Sequence, residues 1–263
     1  SILHEIGNLY QQGYREVTLL GQNVDSYHWK TQEGNSHTNF SQLLEQAAEQ
    51  YPEMRFRFAT SHPKDMSDEV LQTMARHENI CKHIHLPAQS GSSTVLERMN
   101  RGYTREQYMN RIEAIRRIIP ECAVTTDIIA GFCGESEEDH RQTLSLMEWA
   151  GYDFAYMFKY SERPNTKAAR KYEDDVPEEV KSRRLTEIID LQTRLSAKSK
   201  KEDMGKTFSV LVEGPSKKSD QEWFGRTSQN KGVVFPKGDF ERGDYISVKI
   251  TGNTPATLLG ELT

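Results

Sequence analysis

The stretch HLPAQSGSS, His85 to Ser93, ends an apolar strand and runs through small polar residues into the helical pattern TVLERMN, 94 to 100. Backbone N–H groups at a helix start attract anions, and small side chains let a ligand approach them. Gln89 adds a side chain that both donates and accepts. Two readings follow from these residues: a site for a carboxylate, phosphate or ribose, and an ordinary capped strand-to-helix loop.

The same alternation repeats on either side. Ile2, Leu3, Ile6, Leu9 and Tyr10 fall at helical spacing, and Gly13 follows as a stop signal. Glu16 to Leu20 reads as a strand that opens into Gly21-Gln22-Asn23. A helix over Phe40 to Tyr51 leads to a strand over Arg55 to Ala59 and the loop Thr60-Ser61-His62-Pro63. Ser67 to His77 precedes the strand His83 to Leu86, and Arg105 to Ile119 precedes Ala123 to Ile129 with Ala130 to Glu135 beyond it. Glu137 to Ala150 then leads to Asp153 to Phe158 and a loop over 159–164. Five strands alternating with helices predict a parallel sheet whose ligands sit beyond the carboxyl ends of the strands. Five strands do not close an eight-stranded barrel, so a partial barrel fits.

Residues 175–204 predict one long helix, with Asp175 and Glu178 at capping-box spacing and Pro177 in the first turn. From Lys206 onward short alternating strands, broken at Gly214-Pro215-Ser216 and later turns, predict a small β-barrel. The boundaries expected are 1–174, 175–204 and 205–263.

Composition narrows the classes. The chain has 263 residues, a net charge of −5 and 28% charged residues. No apolar run approaches the roughly eighteen residues of a membrane span, and SILHEIGNLY is an amphipathic helix rather than a signal peptide. A soluble, intracellular protein is expected. Cys81, Cys122 and Cys133 are too sparse for a disulfide framework. None lies two or three residues from another, so no local metal or iron–sulfur site is expected in this chain.

Single motifs read two ways. Thr126 to Glu135 ends a strand in glycines that permit close backbone approach, or a tight turn. His62 is an acid, base or ligand, or a hydrogen-bonded loop residue. Gln22 and Asn23 offer amides at another strand end. Lys217, Lys218, Arg226 and Lys231 lie near Trp223 and Phe224, a combination suited to single-stranded RNA or to a solvated turn over core aromatics.

Together these loops carry a resemblance. LLGQNVDSY (19–27), HLPAQSGSSTVLERMNRGYTREQY (85–108), TDIIAGFCGESEEDH (126–140) and FKYSERPNTKAA (158–169) resemble the radical S-adenosylmethionine methylthiotransferases. VLVEGPSKKS (210–219), GRTSQNKGVVFP (225–236) and GDYISVKI (243–250) resemble the TRAM domain that ends those proteins. The resemblance implies a partial, open TIM-type radical SAM barrel followed by a small, OB-like, all-β TRAM barrel. It implies S-adenosylmethionine held by Gln22, Asn23, Ser61, Gln89, Ser90, Asp127, Gly131, Glu135 and Arg163, and RNA held by Lys217, Lys218, Arg226 and Lys231. It implies a cytoplasmic enzyme that adds a methylthio group to C2 of N6-isopentenyladenosine beside the anticodon of tRNA, with an electron donor of the flavodoxin or ferredoxin type. Sibling enzymes act on threonylcarbamoyladenosine or on a ribosomal protein, and a non-catalytic RNA-binding fragment is the alternative from another class.

The chain departs from the family pattern at the front. Family members hold two [4Fe-4S] clusters with three cysteines of an N-terminal domain and a CxxxCxxC loop, and neither is in this sequence. The chain alone is therefore expected to be inactive. Asn165 stands where RPGT-type members have glycine, and Cys133 and Ser136 stand for proline and threonine in GFPGET. Asn tolerates the left-handed conformation, so the turn at 165 is expected to survive.

Overall fold

The structure, a computed structural model, describes residues 1–30, 37–59 and 61–263. Thr60, expected in one of the strand-end loops, lies outside the described residues.

Helix α1 (Ile2–Gln11) leads into β1 (Glu16–Leu19), which pairs in parallel with β4 (Arg55–Phe58). Between them β2 (His28–Lys30) and β3 (His37–Asn39) form a short antiparallel pair, and α2 (Phe40–Gln50) returns the chain. After α3 (Asp68–Arg76), β5 (His83–His85) pairs in parallel with β6 (Ala123–Ala130), and β6 with β7 (Phe154–Lys159). A single bridge, Phe56 with Ile80, links the two halves of this open sheet. Helices α4 (Ser93–Arg98), α5 (Arg105–Ile118) and α6 (Glu137–Ala150) make the crossovers, and α7 (Lys167–Lys171) and α8 (Glu178–Glu202) follow β7. Strands β8 (Thr207–Ser216), β9 (Ser219–Thr227), β10 (Gly232–Pro236), β11 (Tyr245–Asn253) and β12 (Leu258–Leu262) close a second barrel in the order β10-β12-β11-β8-β9.

Local chemistry explains the elements. Ser136 and Asp139 form a capping box at the start of α6, acidic residues fill its first turn, and Gly151 ends it at φ 61°. Thr104 and Gln107 cap α5 in the same way. The capping box expected of Asp175 and Glu178 does not form. Pro177 occupies the cap position of α8 without a side-chain bond, and Asp175 instead accepts the Gly134 N–H at 2.6 Å. The turn expected at Gly214-Pro215-Ser216 is a bulged continuation of β8, and the chain reverses at Lys217-Lys218.

Successive side chains of a strand face opposite ways. On the outward face Phe56, Ile84, Val124 and Ile128 are fully buried against the helices, with Leu44, Leu71, Leu96 and Ile115. Each such residue contributes about 1.5–3 kcal/mol. The inward face is polar and aromatic: Arg57, His83, His85, Thr125, Asp127 and Tyr156.

The small barrel has its own core of Val210, Val212, Val233, Phe235, Val248, Ile250 and Leu258. It docks at the end where the parallel strands begin. Arg55 donates to the Arg226 carbonyl at 2.9 Å, and its guanidinium lies 4.9 Å from the centre of the Tyr245 ring. Arg57 donates to Thr227 O at 2.7 Å and Ser228 O at 3.0 Å while pairing with Glu16 at 2.8 Å. Ligands in such folds bind at the far end of the parallel strands.

Candidate functional site

The loops singled out within residues 1–174 follow the carboxyl ends of the five parallel strands, so the fold gathers them at one end of the sheet. Gln22 is exposed there, and Asn23 donates to Asp65 at 2.5 Å with its own Oδ1 buried and without a partner. Ser61 is buried and donates to Asp25 at 3.4 Å, while the His62 N–H reaches the same carboxylate at 3.3 Å. Burial pushes the Asp25 carboxyl up to about 6, against those two hydrogen bonds. Burial also lowers His62, whose ring meets Tyr103 edge-on.

Gln89 is the unusual residue of the opening stretch. It sits at φ 67°, a conformation that costs a non-glycine residue roughly 1–2 kcal/mol. Two backbone bonds hold it there: its N–H donates to Asp127 O at 2.8 Å, and its carbonyl accepts from Ile129 N at 2.9 Å.

Several backbone donors of the following loop are engaged within the protein. Ser90 N donates to Ala88 O, Gly91 N to the Thr143 hydroxyl, Ser92 N to Ser90 Oγ and Val95 N to Ser92 Oγ. The N–H groups of Ser90, Gly91, Ser92 and Val95 are thus taken inside the protein, and Ser90, fully buried, faces Thr143 of α6. A Cβ on Gly91 would lie 2.5 Å from Gln142 O and Thr143 Cα, so glycine is required by this packing.

Gly131 follows the same logic. Its φ is 75°, and the space beside it is filled by the Lys181 stem, 2.3 Å from where a Cβ would stand. Lys181 is buried and bound to both Asp174 oxygens at 2.6 Å. Glu135 is turned inward: it accepts from Gly131 N at 2.7 Å and from Arg184 at 2.9 Å. Burial raises its carboxyl, and the Gly131 N–H and Arg184 pull it back. Glu135 holds the Gly131 turn, and Gly131 and Gln89 are themselves buried just beyond the carboxyl ends of β6 and β5. Arg163 is exposed in the loop after β7, where Asn165 takes the left-handed conformation at φ 67°.

Asp127 lies one layer below the rim. Its carboxylate faces inward, and His85 Nε2 stands 3.4 Å from its Oδ1. His85 Nδ1 and His83 Nε2 lie 3.0 and 3.1 Å from the Thr125 hydroxyl. This line of side chains was missed from the sequence, although the alternation of His83 and His85 on one strand face was the signal.

Among the candidate RNA residues, Lys217 and Lys218 are exposed at the β8–β9 turn, and Arg226 is exposed over Phe224 and paired with Glu213 at 3.3 Å. Lys231 is placed elsewhere. Its ammonium binds Asp203 at 2.6 Å, Ser199 at 2.8 Å and Asp153 at 3.1 Å, pinning the small barrel to α8 and the start of β7.

Among the described residues the three cysteines stand apart from one another. Cys81 and Cys122 are buried at the end where the strands begin, Cys133 is buried at the opposite end, and burial pushes the Cys81 thiol up to about 12. Thiolate ligation needs the opposite shift. Among the described residues no helix is long and apolar enough to cross a membrane.

A half-barrel of parallel strands with a polar rim, followed by a closed five-stranded barrel, matches known families. Residues 1–147 match the family model described as Radical SAM superfamily, and residues 201–263 that of the TRAM domain. The chain belongs to the radical SAM superfamily. It is 59% identical over 261 residues to a tRNA-2-methylthio-N(6)-dimethylallyladenosine synthase of Phocaeicola vulgatus, covering 99% of this chain and 57% of the relative. Proteins of the same name from Amoebophilus asiaticus and Porphyromonas gingivalis are 57% and 55% identical, covering 100% of this chain and 56% of each relative. The chain thus spans little more than half the length of these curated relatives. Among solved structures it is similar to coproporphyrinogen III oxidase from Escherichia coli, a radical SAM enzyme, with a TM-score of 0.51 and 16% identity over 95% of this chain and 60% of that one. That likeness concerns the fold alone.

Proposed function

We propose that this chain is the barrel and TRAM portion of a tRNA methylthiotransferase that modifies C2 of N6-isopentenyladenosine beside the anticodon. The observation that carries the reading is the identity of 55–59% along essentially the whole chain to proteins bearing that activity in their name. S-adenosylmethionine is held at the rim by Gln22, Asn23, Ser61, Gln89, Gly131 and Arg163, with Ser90 and Glu135 fixing the loops that carry them. Lys217, Lys218 and Arg226 face the RNA backbone, where each cation neutralises a phosphate. When bound, the clusters supply the electron and the sulfur. Their cysteine ligands belong to the part of the relatives' length that this chain does not span, and the electron donor is a flavodoxin or ferredoxin. The enzyme works in the cytoplasm, and the 263-residue chain alone is inactive.

The test uses the full-length protein with reconstituted clusters, a reductant, S-adenosylmethionine and an anticodon stem-loop RNA carrying N6-isopentenyladenosine. The reading requires a methylthio group on that nucleoside by mass spectrometry. A product on threonylcarbamoyladenosine or on a ribosomal protein instead would contradict it.

A further inference from the structure

Three aromatic side chains stand in a row on the inward face of β7. Phe154, Tyr156 and Phe158 are 47, 53 and 54% exposed, while Ala155 between them is buried. Tyr156 is the register partner of Asp127 and its ring lies 5.8 Å from that of His85. Exposed aromatics on one strand face mark a surface for a partner, and a π-face suits a flat one.

The polar neighbours say more about that partner. The line His83, Thr125, His85 ends at Asp127, whose side chain is 27% exposed and accepts hydrogen bonds only, when ionised. Below, Arg55 and Arg57 are engaged by carbonyls of residues 226 to 228, so the small barrel closes the floor. Above, at the carboxyl ends of the strands, Gln89 and Gly131 are buried. The layer between therefore offers one aromatic face and a carboxylate acceptor beside it, complementary to a flat heterocycle with an N–H donor on its edge.

We propose that Tyr156 stacks on the base of the adenosine to be modified and that Asp127, oriented by His85, accepts its exocyclic N–H. The proposal rests on the function proposed above and moves Asp127 from the cofactor to the substrate. Tyr156 and Asp127 touch the base, and His85 is a positioning residue.

The experiment uses the full-length, cluster-loaded enzyme and two probes: S-adenosylmethionine alone, and an anticodon stem-loop RNA carrying N6-isopentenyladenosine. Tyr156→Ala is expected to weaken the stem-loop roughly ten- to a hundredfold, the usual effect of losing one stacked base. Tyr156→Phe is expected to restore it, and Asp127→Asn to weaken it while leaving S-adenosylmethionine affinity unchanged. A stem-loop abasic at the target position should bind wild type and Tyr156→Ala alike. Equal stem-loop affinity for Tyr156→Ala and wild type overturns the proposal. So does a loss of S-adenosylmethionine affinity in the same variants, which would put the cofactor there. A wild-type enzyme that leaves the stem-loop unmodified refutes the function itself, and that arm is read separately from the variants.

Discussion

Arg184, on the first turns of α8, donates to Glu135 at 2.9 Å across a contact in which both side chains are almost fully buried. The same guanidinium reaches the Glu135 carbonyl and the Glu137 carboxylate, each at 2.9 Å. It thereby ties α8 to the loop that carries Gly131. Removing one partner of a buried pair leaves an uncompensated charge and costs about 3–5 kcal/mol. Arg184→Met is therefore expected to lower the denaturant midpoint far more than the double change Arg184→Met with Glu135→Leu. A double-mutant cycle measures this, and additive losses would show that the pair contributes little.

Arg57 links the two barrels. Arg57→Met strands Glu16, which already has one buried oxygen without a partner, and frees the carbonyls of Thr227 and Ser228. The expected loss is again about 3–5 kcal/mol. Calorimetry should show the single transition splitting in two, with new proteolytic cleavage between Glu202 and Lys206. One transition, merely shifted, would mean that the docking does not depend on this residue.

Asp25 makes the stability of the rim depend on pH. Burial pushes its carboxyl up to about 6 in the folded chain, above the ordinary value of 3.8. The folded value is the higher, so the neutral carboxyl stabilises the fold below about 3.8, and this is lost as pH rises through about 6. The full swing is of the order of 2–3 kcal/mol. Asp25→Asn should flatten the fall in Tm between about pH 3.8 and 6. An unchanged profile would mean that Asp25 is not the group responsible.

Lys217 and Lys218 are expected to contact phosphates. Each such contact adds about 0.9 to the slope of log K against log salt on a duplex and about 0.7 on a single strand. Replacing both with alanine should lower RNA affinity at low salt and reduce the slope by about 1.5. Fluorescence anisotropy across a salt series reads both quantities. An unaltered slope would remove these lysines from the interface.

Much of the fold was legible because its signals are local. The five parallel strands and the polar strand-end loops follow from periodicity and from glycine- and serine-rich strand ends, and Asn165 adopts the left-handed turn expected of it. The rest depended on residues far apart in sequence. Nothing near Gly91 says that Thr143 will take its N–H, so the loop looked like an anion cradle. Lys231 resembled an RNA contact because Asp153 and Asp203, which bind it, lie on other elements. Asp175 had capping spacing to Glu178, yet the Gly134 N–H competed for it successfully. His83 and His85 gave only an alternation, and their meaning appears once β6 and β7 set Asp127 and Tyr156 beside them.

The central claim is tested most directly in cells. The full-length gene is deleted and then restored, and nucleosides from digested tRNA are measured by mass spectrometry at each stage. The account predicts that the 2-methylthio mark on N6-isopentenyladenosine disappears on deletion, leaving the unmethylthiolated nucleoside, and returns with the gene. Persistence of that mark in the deleted strain would contradict the account.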